Sequence, residues 1–304
     1  MPTPIRRFGA PAGRRDGRER VAGEEPLQLR LDLDDGSTPL VTTMRTPGAD
    51  FELAAGFLLA EGIVRRRSDL LGLSYCRDVD DGERYNVVHV RLGPGAQVPA
   101  ASTLHRFAAT AACGVCGKGQ LISLADRGCA PVVDGVRVSA ALLATLPDRL
   151  RRHQPVFERT GGLHAAGLFT ADGGLLAVRE DVGRHNALDK LFGWAFLADV
   201  PLAGTMVCVS GRAGYELLQK CVVARVPVFA AVSAPSSLAV AVARGFGITL
   251  AAFVRDGRFN VYAHEERVLD DLAAMPVAAP AAALPPAAHA SAAAANPAPT
   301  GRVD

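Results

Sequence analysis

The sequence predicts an α/β protein: an α/β/α core with a mainly parallel sheet over residues 136–270, preceded by a smaller mixed α/β subdomain over residues 26–135. Two observations carry this. From Leu175 to Val254, apolar strand-like runs alternate with helical ones, the rhythm of crossover units in a parallel sheet with helices on both faces. Before Leu124 the pattern is different, with strictly alternating strands around one prominent helix. A third observation bounds the ordered part. Residues 1–25 are rich in Arg, Gly and Pro without apolar periodicity, and residues 271–304 collapse to Ala and Pro, so both ends are assigned as disordered extensions.

Taken in order, Leu27–Leu33 alternates as a half-exposed strand does, and Asp34-Asp35-Gly36 supplies a turn into a strand over Pro39–Arg45. Asp50 is placed to cap a helix over Phe51–Glu61. Its apolar face is Phe51, Leu53, Ala54, Phe57 and Leu58, and Gly62 is the stop signal. Asn86–Leu92 alternates again. In the second half, strand Leu175–Arg179 precedes helix His185–Phe196, and strand Thr205–Val209 precedes helix Tyr215–Ala224. Strand Val226–Val232 precedes helix Ser236–Arg244, and Ile248–Val254 is a further strand. Asp256-Gly257 is a hairpin-type turn, which returns Arg258–Ala263 as an antiparallel edge strand.

Bulk properties exclude several function classes. Of 304 residues, 49% are apolar, enough for a sizeable core, and the formal charge of +2 lacks the basic excess of a nucleic-acid binder. No run approaches the ~18–20 apolar residues of a membrane span, and the arginine-bearing start has no signal-peptide core behind it. The cytoplasm is the default compartment. Six cysteines are too sparse for a disulfide scaffold, and Cys208 and Cys221 sit in apolar runs as core residues do.

Chemistry concentrates in two places. Three loops follow the strands of the second half: Glu180–Asn186, Ser210–Gly214 and Ser233–Ser237. Glycine and serine at helix starts free backbone N–H groups for an anion, and Arg184 and Arg212 add forks for phosphate. Each loop alone is an ordinary cap, but three on one sheet edge predict a phosphate-bearing ligand. His185 either works as an acid–base group or caps and packs its helix. Glu180 and Asp181 either transfer protons or cap the next helix and pair with Arg184, the second being preferred.

The second place is Cys113-Gly114-Val115-Cys116-Gly117, with Lys118 and Gly119 behind it. The glycines loosen the backbone, and a nearby cation with free amides favours the nucleophilic thiolate. Two thiols at this spacing permit persulfide transfer, thiol–disulfide exchange or half of a zinc site. Zinc needs a second closely spaced pair, and neither Cys-x-x-Cys nor His-x3–5-His follows, so no structural metal is expected.

Together these segments resemble the formate dehydrogenase accessory sulfurtransferases, the FdhD-type sulfur carriers. The resemblance rests on Arg45–Gly48 with Phe51–Gly62, Cys113–Gly117, Thr160–Ala166, Glu180–Lys190, Ser210–Arg212 and Phe259–His264. It covers about residues 25–266, and this order of long segments is specific where each short motif is not. It implies a sulfurtransferase that accepts persulfide sulfur from a cysteine desulfurase. The sulfur then goes to the molybdenum of a bis(molybdopterin guanine dinucleotide) cofactor required by formate dehydrogenase apoprotein. By this resemblance Cys113 is the persulfide-bearing cysteine and Cys116 its partner. Phe259, Asn260, Val261, Tyr262, Ala263 and His264 match the stretch associated with cofactor binding, and Arg184, Ser210 and Arg212 are expected to help there. The family is similar in fold to the cytidine deaminases and forms homodimers. The deaminase zinc signature is missing from this chain, so that activity is not implied. Two competing readings are a non-catalytic cofactor-binding chaperone and a dithiol oxidoreductase.

Overall fold

The computed structural model describes residues 1–9, 13–34, 36–76, 85–98, 124–125 and 128–271. The chain begins with β1 (Pro2–Gly9) and β2 (Gly13–Arg20), an antiparallel hairpin that pairs Pro2 with Arg20 and Gly9 with Gly13. This corrects the expectation of a disordered start. Almost every side chain of the ribbon is exposed, so apolar periodicity is blind to it. Backbone pairing forms the ladder, with Arg6 beside Asp16 at 3.6 Å and Arg7 beside Glu19 at 3.7 Å across it.

A four-stranded sheet follows, made of β3 (Glu25–Leu33), β4 (Gly36–Arg45), β5 (Leu70–Tyr75) and β6 (Val87–Leu92) in the order β4-β3-β6-β5. The alternation in β3 puts Leu27, Leu29 and Leu31 on one buried face, where Val88 and Val90 join them from the parallel neighbour β6. Between β4 and β5 runs the helix α1 (Asp50–Ala60), which shares this core. Asp50 is not its cap. Ala49 occupies that position in left-handed backbone, and buried Asp50 instead receives Arg45 Nε at 2.9 Å and Nη2 at 3.1 Å, with the Tyr75 hydroxyl at 3.2 Å. The fully buried Arg45 also donates through Nη2 to the Tyr85 carbonyl and Asn86, while its buried Nη1 has only Glu25 nearby, at 3.6 Å.

The second half opens with β7 (Val138–Ser139), α2 (Ala140–Arg151) and α3 (Pro155–Thr160). It continues through β8 (His164–Thr170), β9 (Leu175–Asp181), α4 (Arg184–Leu197), β10 (Thr205–Val209), α5 (Tyr215–Ala224) and β11 (Val228–Ala231). Then come α6 (Ser237–Phe246), β12 (Thr249–Arg255), β13 (Arg258–Ala263) and the short β14 (Val268–Leu269), which pairs with β7. The six-stranded sheet runs β13-β12-β11-β10-β8-β9. Helices cover both faces. Met206, Cys208, Val228 and Ala230 pack with Leu143, Leu146 and Leu150 of α2, while Val207, Val209, Phe229 and Ala231 share the other core with α4, α5 and α6.

The sheet is mixed rather than mainly parallel. Only β10–β11 and β11–β12 pair parallel, and β8–β9, β8–β10 and β12–β13 are antiparallel. The overlooked strand is β8, His-Ala-Ala-Gly-Leu-Phe-Thr, whose small apolar residues are buried on both faces and leave no period of two. The hairpin from Thr170 to Gly174 then returns β9 parallel to β10. The carboxyl ends of β9, β10, β11 and β12 therefore share one edge with the amino ends of β8 and β13.

The division near residue 135 separates two sheets but not two cores. Helix α1 lies directly on α4, and one apolar cluster runs from Leu27 through Leu58 to Leu188, Val207 and Phe246.

Candidate functional site

Three helices of the central layer begin at the shared edge. Gly183 precedes α4, Gly214 precedes α5 and Ser236 caps α6, its Oγ accepting the Ala239 N–H at 3.2 Å. Each start adds partial positive charge and unsatisfied N–H groups on the same side. The loops are laced together: Ser233 N donates to Gly211 O, Ser236 N to Ala213 O, and Phe253 N to Ser233 O.

Arg184 is half-buried and Arg212 exposed, and neither forms an ion pair among the described residues. Between them stands His164, the first residue of β8, which sequence reasoning carried only as part of a matched segment. Burial lowers its pKa, and the charges of Arg184, His185 and Arg212 lower it further against the opposing pull of Asp181. A cationic sheet edge that holds a neutral imidazole is suited to an anion that brings its own negative charge. Ser210 is committed in part to structure, since its Oγ accepts the Ala165 N–H at 2.9 Å and fixes the loop to β8.

The acidic residues of this edge hold the scaffold. Asp181 is fully buried, pairs with Lys190 Nζ at 2.7 Å and accepts the N–H groups of Gly183 and Thr46. Lys190 also donates to the Thr46 carbonyl at 2.7 Å, which ties α4 to the segment leading into α1. Glu180 accepts the N–H groups of Val156 and Phe157 and so caps α3, not the following helix. The expected pairing of these carboxylates with Arg184 is thus replaced by Lys190 and by backbone donors. His185 reaches Glu216 of α5 at 2.6 Å, and one turn further Asp189 of α4 receives Lys220 of α5 at 2.8 Å. These two rungs, four residues apart on each helix, join the helices that carry two of the ligand loops.

The segment Phe259–His264 is split by its position in β13. Phe259 and Asn260 lie toward the ligand edge and border a depression of about 280 Å³ with Phe253, Arg255 and Arg258. Phe253 sits at a bulge with a positive φ of 54°, a backbone state that side chains other than glycine adopt reluctantly. Sequence reasoning missed it, since a bulge within an apolar strand leaves no pattern. Val261 and Tyr262 follow along the strand, and Ala263 is buried. His264 ends at the far edge, within 3.2 Å of the Arg244 carbonyl and 3.0 Å of Glu266. From β10 to β13 is three strand spacings, about 14 Å. The edge therefore offers two stations, one around His164, Arg184 and Arg212 and one around Arg255, Arg258 and Asn260.

Cys113 and Cys116 lie outside the described residues. Of the others, Cys208 and Cys221 are buried in the core, and burial pushes the Cys208 thiol up to about 12 and that of Cys221 upward as well, which makes both inert. Among the described residues no helix is long and apolar enough to cross a membrane.

Comparison with known proteins agrees over most of the chain. The sequence model of the FdhD/NarQ family matches residues 22–269. The sulfur carrier protein FdhD of Mycobacterium tuberculosis is 52% identical over 258 residues, covering 82% of this chain and 92% of its own. That of Streptomyces coelicolor is 51% identical over 255 residues, with 82% and 89% covered. A crystal structure described as a formate dehydrogenase accessory protein from Desulfotalea psychrophila superposes with a TM-score of 0.69 at 25% identity, over 88% of this chain and 99% of the other. With its segments in family order and the family model matched over residues 22–269, the chain belongs to the FdhD/NarQ family.

Proposed function

We propose that this protein is a sulfur carrier that takes persulfide sulfur from a cysteine desulfurase onto Cys113 or Cys116. It delivers that sulfur to the molybdenum of a bis(molybdopterin guanine dinucleotide) cofactor destined for formate dehydrogenase, working as a homodimer in the cytoplasm. The observation that carries this is the convergence of His164, Arg184, Arg212 and three helix N-termini on one sheet edge. That is a receiver for a ligand with several phosphates, in a family whose curated relatives are named sulfur carriers. The second station at Arg255, Arg258 and Asn260 suits a ligand long enough to bridge the sheet.

The chemistry balances on the two cysteines. In loading, a cysteine thiolate attacks the outer sulfur of the donor persulfide; a new S–S bond forms, the old one breaks, and the donor thiolate leaves. Delivery of that sulfur as sulfide consumes two electrons. The second cysteine supplies them by attacking the inner sulfur, which closes a Cys113–Cys116 disulfide and releases the outer sulfur to the metal. A cellular thiol reductant then restores the dithiol.

The decisive experiment loads the purified protein with cysteine and a cysteine desulfurase and maps the adduct by peptide mass. One added sulfur on the peptide holding Cys113 and Cys116, lost with reductant, is expected. An unmodified peptide, or full activation of formate dehydrogenase by the Cys113→Ala/Cys116→Ala protein, would leave the binding-only chaperone as the better reading.

A further inference from the structure

The opposite edge of the central layer carries a second, chemically different feature. The carboxyl ends of α1, α4 and α5 converge there around a cleft of about 460 Å³. Its floor is apolar, with half-exposed Phe196 and Val223 beside Leu59. Its rim is cationic: Arg65, Arg66, Arg67 and Arg225, all exposed, face one lining carboxylate, Asp199. Among the described residues Arg65, Arg66 and Arg225 form no ion pair.

The arginines are presented by a braced turn. Buried Asp69 accepts the backbone N–H groups of Arg65 at 2.8 Å and Arg66 at 2.9 Å. Its own carbonyl receives Gly93 N at 2.9 Å, and Ile63 O receives Gln97 N at 2.8 Å. The N–H bonds from Arg65 and Arg66 hold the Asp69 carboxyl below its ordinary range. A neighbouring backbone thus fixes three consecutive guanidinium-bearing residues beside an apolar floor that no described residue covers.

We propose that this cleft docks an extended acidic segment of a partner protein, with an apolar side chain on the Leu59–Phe196–Val223 floor and carboxylates on Arg65, Arg66 and Arg225. Charge decides the occupant. Helix N-termini gather at the ligand edge, whereas this cleft lies among helix C-termini, whose carbonyls repel a compact phosphate. Carboxylates spaced along a peptide avoid that interior and meet the arginine forks at the rim. A partner seated here leaves the ligand edge open, so docking and ligand binding can coexist. The inference stands independently of the sulfur-carrier reading.

The test pans a random-peptide display library on the full-length protein, then measures the consensus peptide by fluorescence anisotropy. An acidic consensus interrupted by apolar residues is expected. Its affinity should fall at least about 30-fold in Arg65→Glu/Arg66→Glu/Arg225→Glu and weaken with added salt. The Lys triple variant at the same positions should keep most of it, which separates charge from misfolding, and Val223→Asp should lose it through the floor. Failure to enrich any peptide, a consensus without acidic bias, or equal binding to the Glu variant would overturn the proposal. So would tight inorganic pyrophosphate binding lost in the Glu variant, which marks a small-anion pocket. A dimer that dissociates in the Glu variant would assign the cleft to a second copy of the chain and equally overturn it.

Discussion

Gly56 of α1 lies directly beneath the carbonyl oxygen of Asp189 in α4, and a Cβ added to it would overlap that oxygen. Gly193 of α4 stands in the same relation to the carbonyl of Glu52 in α1. The two helices touch backbone to backbone, and Glu52–Arg179 at 2.5 Å clamps the crossing from outside. Because α4 also opens the ligand edge, this crossing sets where Arg184 stands.

Gly56→Ala and Gly193→Ala should each destabilise the fold by about 3 kcal/mol, since neither helix backbone can move without lifting α4 off the sheet. Denaturant midpoints read this directly. Midpoints unchanged from the parent would mean that the crossing is looser than described.

The two rungs between α4 and α5 should differ in worth. Asp189 and Lys220 are both buried; desolvation pulls Lys220 down, but the Asp189 carboxylate overrides it and holds the amine above its ordinary value. Lys220→Met strands a buried carboxylate and should cost about 3–5 kcal/mol, with Asp189→Leu recovering much of it in the double variant. At the outer rung, the hydrogen bond with the His185 side chain holds half-exposed Glu216 below its ordinary 4.5. A depressed carboxylate contributes stability above the unfolded value that is lost as pH falls through the folded one. Glu216→Gln should therefore cost under about 1 kcal/mol at neutral pH and make acid unfolding less steep, as thermal melts across the pH range would show.

His164 ties ligand affinity to pH. Burial and three nearby cations depress its pKa below 6.5, so the free protein holds it neutral. A bound phosphate reverses the local charge and raises that pKa, so binding takes up a proton and affinity grows as pH falls through this window. Guanosine diphosphate titrated by calorimetry in buffers of different ionisation enthalpy should show the uptake, and His164→Gln should abolish it. Identical proton counts in both proteins would remove His164 from the ligand edge.

Much of this was legible in the sequence because local patterns agreed with tertiary burial. Thr205–Val209, Tyr215–Ala224 and Arg258–Ala263 fall where their runs and the Asp256-Gly257 turn place them. What escaped has physical causes. β8 is buried on both faces and carries no alternation, so the mixed sheet and His164 at its head went unread. The hairpin before Ala22 is exposed along almost its whole length and held by backbone pairing, so no apolar alternation marks it. Lys190 and Lys220 read in sequence as surface lysines, and only the fold shows their buried partners. The arginine and glycine loops were readable because helix starts advertise themselves in sequence.

Ser210 and Arg212 are adjacent in the same loop, yet they should fail in different ways. Ser210 Oγ is the acceptor for the N–H of Ala165, a residue almost wholly buried. Ser210→Ala leaves that donor unsatisfied and should cost about 1–3 kcal/mol of stability, with nucleotide affinity following only as far as the loop shifts. Arg212 is exposed and forms no ion pair among the described residues, so Arg212→Ala should leave the melting temperature unchanged while weakening guanosine diphosphate and flattening its salt dependence. Ser210→Thr, which keeps the acceptor, should restore stability. If Arg212→Ala binds nucleotide as the parent does while Ser210→Ala loses binding without loss of stability, the hydroxyl and not the guanidinium is the ligand contact, and the roles assigned along this edge exchange.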